Sequence, residues 1–181
     1  MVLVNFFGVP GAGKSTGTAY VFSKLKMLGY NAELVDEFAK GKVYEENKEA
    51  FKNQAYIFGK QFYKITRCEE KVDVILTDSP LLLSVFYNND KRLGEPFNEM
   101  VKNVSKGYDS LNYLILRTKK YNPKGRWQSE KESNALLPKM KELMNEVGEY
   151  TAYPGDEEYY DKIVSEVDLY LRSKGVVPQK P

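Results

Sequence analysis

A complete phosphate-binding motif lies near the start of the chain, directly after an apolar run. Residues 8–16 read Gly-Val-Pro-Gly-Ala-Gly-Lys-Ser-Thr, which fits GxxxxGK[ST], and the run Val2–Phe7 before them is typical of a buried strand. Glycines let successive backbone N–H groups curl around a phosphate, and the following helix points the positive end of its dipole at the anion. A strand, a P-loop and a helix in this order predict an α/β protein that binds a nucleoside triphosphate.

The motif also predicts roles for individual residues. Lys14 is expected to reach the β- and γ-phosphates, and Ser15 to offer its hydroxyl to Mg²⁺. ATP and Mg²⁺ are therefore the expected cofactors. The residues predicted to bind the nucleotide are Gly8, Pro10, Gly11, Ala12, Gly13, Lys14, Ser15 and Thr16.

Length and composition predict one domain. The 181 residues, 42% of them hydrophobic, suffice for a single core, which we assign to residues 1–175, with a flexible tail at 176–181. A net charge of +2 indicates neither a nucleic-acid partner nor a membrane. The single cysteine, Cys68, cannot form an internal disulfide, and no segment resembles a membrane span or a signal peptide. We therefore expect the protein to be located in the cytoplasm, which would be the host cytoplasm if a phage encodes it.

The chain contains no histidine, which limits its chemistry. A general base must then be a carboxylate, a lysine or a tyrosine. A Cys/His metal cluster is excluded as well. The remaining expectation for a divalent ion is a site made of carboxylate, hydroxyl and nucleotide phosphates.

Short apolar runs alternate with helical stretches, which predicts a parallel sheet flanked by helices. The helix after the P-loop should stop at Gly29, one long helix should cover 48–71, another should start at Asn134, and a last one should cover Asp156–Ser173. The predicted strands are Val2–Phe7, Ala32–Asp36, Val72–Thr77, Asn112–Leu116 and a weaker one at Val147–Tyr153.

Two of these strands end in carboxylates, at the edge where open α/β sheets bind ligands. Asp78 follows the third strand and is predicted to hold Mg²⁺ beside Ser15; the alternative is a helix N-cap. Asp36 and Glu37 follow the second strand, and alternation along a strand sends them to opposite sides. Glu37 is our candidate for the base that orients and deprotonates an acceptor hydroxyl, the alternative being a solvated pair of acids.

Phosphoryl transfer also needs cations that arrive when the site closes. Arg117 ends the fourth strand, and Arg126 lies within residues 118–133, which we predict to form a short lid. Both arginines are catalytic candidates, because a guanidinium can bind two phosphate oxygens at once. The alternative is an exposed basic loop.

The predicted helix at 48–71 could contribute to an acceptor pocket. It places Phe51, Ala55, Phe58, Phe62 and Ile65 at helical spacing, a pattern more typical of a core face than of a pocket. Gln54 and Gln61 lie elsewhere on this helix. A glutamine amide can pair with a base edge, although a solvated helix face is the commoner place for it.

The chain resembles the P-loop kinases of the nucleoside and nucleotide kinase group. The resemblance rests on GVPGAGKST, on Asp36-Glu37-Phe38-Ala39-Lys40, on Thr77-Asp78-Ser79-Pro80 and on the lid from Arg117 to Glu132. Within the group it looks most like nicotinamide-riboside-kinase-type ATPases and phage-borne kinases of hydroxymethylated bases in DNA. The resemblance implies a five-stranded parallel sheet in the order 2-3-1-4-5, Mg-ATP as donor, and a carboxylate near Glu37 or Asp78 that contacts the acceptor. Typical deoxynucleoside kinases have an Asp/Glu-Arg-Ser pattern where this chain has Asp78-Ser79-Pro80.

These observations lead to one hypothesis and two alternatives. The hypothesis is a phosphotransferase that moves the γ-phosphoryl group of ATP to a hydroxyl of a nucleoside-like small molecule. A kinase acting on a polynucleotide or on a hydroxymethylated base in DNA would use the same donor site, and a regulatory NTPase is the other alternative. The sequence leaves open the acceptor, the preference for ATP over GTP, the oligomeric state, and which of Glu37 and Asp78 is the base.

Overall fold

The predicted parallel sheet is confirmed. A computed structural model describes residues 1–122 and 129–179, and within them five strands form one sheet in the order β2-β3-β1-β4-β5, with every neighbouring pair parallel. This order is the one that the kinase resemblance implies. The strands are β1 Val2–Phe7, β2 Ala32–Val35, β3 Val74–Thr77, β4 Ser110–Leu116 and β5 Thr151–Pro154.

Helices cover both faces of the sheet. In chain order they are α1 Lys14–Leu28, α2 Phe38–Tyr44, α3 Lys48–Phe51, α4 Gln54–Thr66, α5 Leu83–Phe86, α6 Gly94–Lys106, α7 Glu130–Val147 and α8 Glu157–Ser173. No helix within residues 1–122 and 129–179 has the length and apolar character that a membrane span requires.

Alternation along β1 explains the two layers. Val2, Val4 and Phe6 pack into one core together with α1 and α8, whereas Leu3 and Phe7 face the opposite side. There Leu3 meets α4 and α6, and Phe7 meets α7. Because all six residues of β1 are buried, the P-loop that follows is anchored to the centre of the sheet.

The prediction of one long helix over 48–71 is wrong. The segment is divided into α3 and α4, because the Asn53 side chain accepts a hydrogen bond from the Tyr56 amide and starts a new helix. The buried face of α4 also differs from the predicted one: it consists of Gln54, Phe58, Gln61 and Ile65. Phe51 lies on α3, and Ala55 is exposed.

Two other helices differ from the expectation. Helix α7 starts at Glu130, four residues before the predicted start at Asn134, because Ser129 and Glu132 form a capping box. The last four residues of the predicted lid, 130–133, thus belong to the first turn of α7. The amphipathic helix α6, which buries Phe97 and Val101, was not predicted.

The described part of the predicted tail contacts the body of the protein. Val176 packs against the core, and the Gln179 amide donates a 2.9 Å hydrogen bond to the Gly29 carbonyl at the end of α1. Gly29 has a φ of 98° and closes α1 as predicted. The last two residues, 180 and 181, lie outside the described part of the chain.

Candidate active site

The P-loop has a backbone that requires glycine. Gly8 and Gly13 have φ values of 149° and 101°. A Cβ at Gly8 would lie 2.7 Å from the Ile115 carbonyl oxygen, and one at Gly13 would lie 2.6 Å from the Tyr160 hydroxyl. Close packing and positive φ thus both exclude larger residues, and α1 begins immediately after Gly13 with its amides directed at the loop.

Two distant helices hold this loop in place. The Tyr160 hydroxyl of α8 donates a 3.1 Å hydrogen bond to the Gly13 carbonyl. The Ser133 hydroxyl of α7 donates a 2.9 Å hydrogen bond to the Pro10 carbonyl. These contacts span 147 and 123 residues of sequence, so no local pattern could have indicated them.

The predicted donor-site residues lie together at the mouth of the loop. The Lys14 ammonium donates a 2.8 Å hydrogen bond to the Gly8 carbonyl, and the Ser15 hydroxyl donates one to Asp78 Oδ2. Asp78 is 8% exposed. The structure thus brings Asp78 to the position beside Ser15 that the sequence predicts for it.

Hydroxyl and carboxylate oxygens of this kind suit Mg²⁺. Within residues 1–122 and 129–179 no group of three or more Cys, Asp or Glu residues could hold a metal ion. An ion at Ser15 and Asp78 would therefore take its other ligands from phosphates and water.

The adjacent carboxylates after β2 point to different environments. Glu37 lies in the cleft in front of the P-loop, where burial raises the pKa of its carboxyl; Lys14 opposes this shift and Asp78 adds to it. The Asp36 side chain is 78% exposed and forms a 2.5 Å ion pair with Lys64, whose hydrogen bond lowers the pKa of Asp36. Of the two acids, Glu37 is the one that lines the cleft together with the P-loop residues.

The cleft extends beyond the P-loop to form a space of about 530 Å³. Its far side is lined by α2, α3, α4 and α5, with the side chains of Val43, Phe51, Gln54, Ile57, Leu83 and Tyr87. Burial, together with the charge of Glu37, raises the pKa of Tyr87 to about 12. Tyr87 therefore stays a neutral hydroxyl near Glu37, and no sequence signal had singled it out.

The two glutamines of α4 differ in their contacts. Gln54 is 7% exposed, and its Oε1 is buried with no hydrogen-bond partner among the described residues. Gln61 is also buried, but both ends of its amide bond to the protein itself. Of the two, only Gln54 thus has an amide oxygen without a partner in the described part of the chain, and the expectation of a solvated helix face is wrong for both residues.

Arg117 lies beside the P-loop rather than in the cleft. Its Nη2 donates a hydrogen bond to Asn134 Oδ1 and lies 3.6 Å from Glu130 Oε1, while its guanidinium stacks 5.0 Å from the ring centroid of Tyr121. Nη1 is buried without a hydrogen-bond partner in the described part of the chain. It would lie 3.8 Å from a Cβ at Gly11, so Arg117 borders the phosphate-binding loop. Arg126 lies outside the described residues, as does Gly125.

Solved structures of known proteins share this fold. The chain is similar to deoxyadenosine kinase from M. mycoides with dATP bound, at 18% identity and a TM-score of 0.58, covering 91% of this chain and 98% of that one. A second structure of that enzyme, with the product dCMP and a flexible dCDP, gives 19% identity and a TM-score of 0.54, covering 94% and 99% of the two chains. No protein-family model and no curated protein matches the sequence. At this identity the similarity shows that the fold is shared and no more.

Proposed function

We propose that the protein is an ATP-dependent kinase that phosphorylates a hydroxyl of a nucleoside-like small molecule. One observation carries the proposal: Glu37 lies near Lys14 and Asp78 at the P-loop, in a cleft that continues into a space lined by both polar and apolar residues. The fold likeness to a deoxyadenosine kinase with nucleotides bound supports this substrate class.

The donor half of the site binds and holds the triphosphate. Amides of the P-loop and of the first turn of α1 bind the phosphate oxygens, and Lys14 neutralises charge that spreads over the γ-phosphoryl group during transfer. Ser15 and Asp78 would hold Mg²⁺, which neutralises charge on the β- and γ-phosphates when it is bound. Arg117, together with Arg126, is proposed to add positive charge from the side of the lid.

The acceptor half positions a hydroxyl against the γ-phosphorus. Glu37 accepts a hydrogen bond from this hydroxyl and takes its proton as the new O–P bond forms and the bond to the β–γ bridging oxygen breaks, releasing ADP. The raised pKa of Glu37 increases its strength as a base. The charge of Lys14 limits this increase, so the carboxylate stays available to accept a proton.

Gln54 is proposed to bind the acceptor through its unpartnered amide oxygen. A molecule with an N–H group in this place, such as a nucleobase edge, would satisfy that atom, whose burial otherwise costs about 1–3 kcal/mol. We expect Gln54→Met to raise the KM for the acceptor about 10- to 100-fold, since each 1.4 kcal/mol is tenfold. Steady-state kinetics with each substrate varied in turn would test this, and the KM for ATP should stay within about twofold. An unchanged acceptor KM would show that Gln54 does not bind the acceptor.

A transfer assay tests the function directly. Terminally labelled ATP is incubated with separate pools of nucleosides, nucleotides, single-stranded DNA and hydroxymethylated duplex DNA, and the labelled product is identified. Label in nucleosides supports the proposal. Label released only as inorganic phosphate indicates the regulatory NTPase, and label in DNA indicates the polynucleotide alternative.

One observation favours the polynucleotide alternative. Tyr44 lines the same cleft but is 72% exposed, and Lys40 lines the cleft beside it. An exposed aromatic ring next to a cation is a surface on which a base of a strand can stack. A salt titration separates the two acceptors, because binding of a polynucleotide weakens steeply with salt and binding of a neutral nucleoside does not.

Glu37 is also expected to reduce the stability of the folded protein. Its folded-state pKa is raised above the ordinary value of 4.5, so the folded protein binds the proton more tightly than the unfolded chain. The free energy of unfolding therefore falls as pH rises through the interval between the two pKa values. Glu37→Gln should raise the thermal midpoint at pH 7, and the gain should shrink toward pH 4. Asp36→Asn, the control, removes an exposed acid with a lowered pKa and should give no such gain. Equal midpoints for wild type and Glu37→Gln would contradict the burial of this charge.

A further inference from the structure

The side chain of Gln61 joins the ends of the two strands that bear the candidate carboxylates. Gln61 is 3% exposed on α4. Its Oε1 accepts a 3.0 Å hydrogen bond from the Phe38 amide, and its Nε2 lies 3.3 Å from the Asp36 carbonyl oxygen. Nε2 also lies 3.4 Å from Thr77 Oγ1.

The two backbone partners of Gln61 belong to the peptide units on either side of Glu37. The β2–β3 register ends with Val35 opposite Thr77, so the backbone has left the strand ladder where Glu37 begins. The Gln61 amide donates to one of these backbone groups and accepts from the other, and Lys64 Nζ also donates a 3.2 Å hydrogen bond to the Asp36 carbonyl. The Gln61 amide thus contacts the backbone on both sides of Glu37.

The same amide also reaches the segment of Asp78. Thr77 Oγ1 accepts a 3.1 Å hydrogen bond from the Ser79 amide, so the Thr77 hydroxyl links the turn around Asp78 to Gln61. Thr77 is fully buried. The peptide units around Glu37 and the turn around Asp78 are therefore connected through two side chains, Gln61 and Thr77.

We propose that Gln61 is a positioning residue that fixes Glu37 in relation to Asp78, so that base and metal-binding carboxylate keep the spacing that transfer requires. The inference rests on the proposed function. It also separates Gln61 from Gln54, because both ends of the Gln61 amide bond to the protein, whereas the Gln54 amide oxygen has no partner among the residues that the structure describes.

Gln61→Met tests the proposal, since methionine has a similar length and lacks the amide. A small displacement of a catalytic group costs up to about 100-fold in rate, so we expect kcat to fall about 10- to 100-fold. The KM for ATP should change less than about twofold, because the P-loop contacts do not involve Gln61. Ile65→Val is the matched control: Ile65 is fully buried on the same face of α4, and a loss of packing there should leave kcat unchanged.

Thr77 provides a second pair of variants if Gln61→Met does not fold. Thr77→Val removes the hydroxyl with little change of shape and should lower kcat, whereas Thr77→Ser keeps the hydroxyl and should restore kcat. Unchanged kcat in the folded Gln61→Met protein overturns the proposal. So does an equal loss of kcat in Ile65→Val, because reduced stability alone would then explain both.

Hydrogen exchange of the Phe38 amide gives a readout that does not depend on transfer. The bond to Gln61 should protect this amide in the wild type, and exchange should be at least about fivefold faster in Gln61→Met, since the loss of one hydrogen bond is worth about 1 kcal/mol or more. Equal exchange rates overturn the proposal even if kcat falls. A wild-type protein that transfers label to no acceptor refutes the proposed function instead, and the exchange experiment still reports on the contacts of Gln61.

Discussion

Lys14→Met is expected to abolish phosphoryl transfer almost completely, with kcat lowered by about 10³-fold, the upper range for removing one preorganised charged or hydrogen-bonding group. Lys14 lies in the P-loop with its ammonium 2.8 Å from the Gly8 carbonyl, where the terminal phosphates of ATP would bind. The motif at residues 8–16 contains no second lysine that could bind the phosphates in its place. The measurement is single-turnover transfer from labelled ATP, with the acceptor identified by the pool assay.

Lys26→Met is the matched control for this variant. Lys26 lies in the last turn of the same helix, α1, and is exposed. The control also loses one positive charge, but at the opposite end of α1, and it should transfer the phosphoryl group at the wild-type rate. Thermal unfolding of both variants checks that they are folded. Ordinary turnover of a folded Lys14→Met protein would remove the P-loop from the mechanism.

Glu37→Gln is expected to lower kcat by about 10²- to 10⁴-fold, the range for the loss of a general base. The amide has the size of the carboxylate but cannot take a proton from the acceptor hydroxyl. ATP affinity, measured by titration calorimetry, should stay close to that of the wild type, because Lys14, Ser15 and Asp78 remain in place. A fall in kcat without a fall in ATP affinity assigns Glu37 to the acceptor half of the site.

The neighbouring residue gives the control for Glu37. Asp36→Asn removes a carboxylate that is 78% exposed and paired with Lys64, outside the cleft, and should change kcat by less than about threefold. Asp78→Asn should weaken the response to Mg²⁺. If Asp78→Asn abolishes transfer while ATP binding keeps its wild-type dependence on Mg²⁺, and Glu37→Gln does not abolish transfer, then Asp78 is the base.

Much of the fold could be predicted from local patterns. All five strands were found, and β1 matches its predicted bounds, because apolar runs between turn residues are a strong signal for buried parallel strands. The break between α3 and α4 was missed. An asparagine inside a helical pattern is ambiguous, and Asn53 acts as a cap only because Phe58 and Ile65 pack in the core and set the start of α4.

For the candidate site, too, some features could be predicted from local patterns and others could not. A motif of nine residues specifies the P-loop, and a carboxylate at the end of a parallel strand lies at the binding edge by topology alone. The sequence already favoured Glu37 over Asp36, and the structure adds the reason: Lys64, 28 residues from Asp36, pairs with Asp36 outside the cleft. The sequence could not separate the roles of the two glutamines. Gln54 and Gln61 both lie on the buried face of α4, and only the structure shows that their hydrogen-bond partners differ.

By itself, the sequence determined the phosphate-binding loop, the α/β class, and which strand ends carry acids, because each of these depends on residues that are neighbours in the chain. Only the tertiary structure decided that Asp36 is paired outside the cleft while Glu37 lies inside it, which glutamine oxygen has no partner among the described residues, and that Tyr160 and Ser133 hold the loop. Those properties depend on contacts between residues 16 to 147 positions apart. Packing of whole helices against the sheet brings such residues together, and no local pattern encodes it.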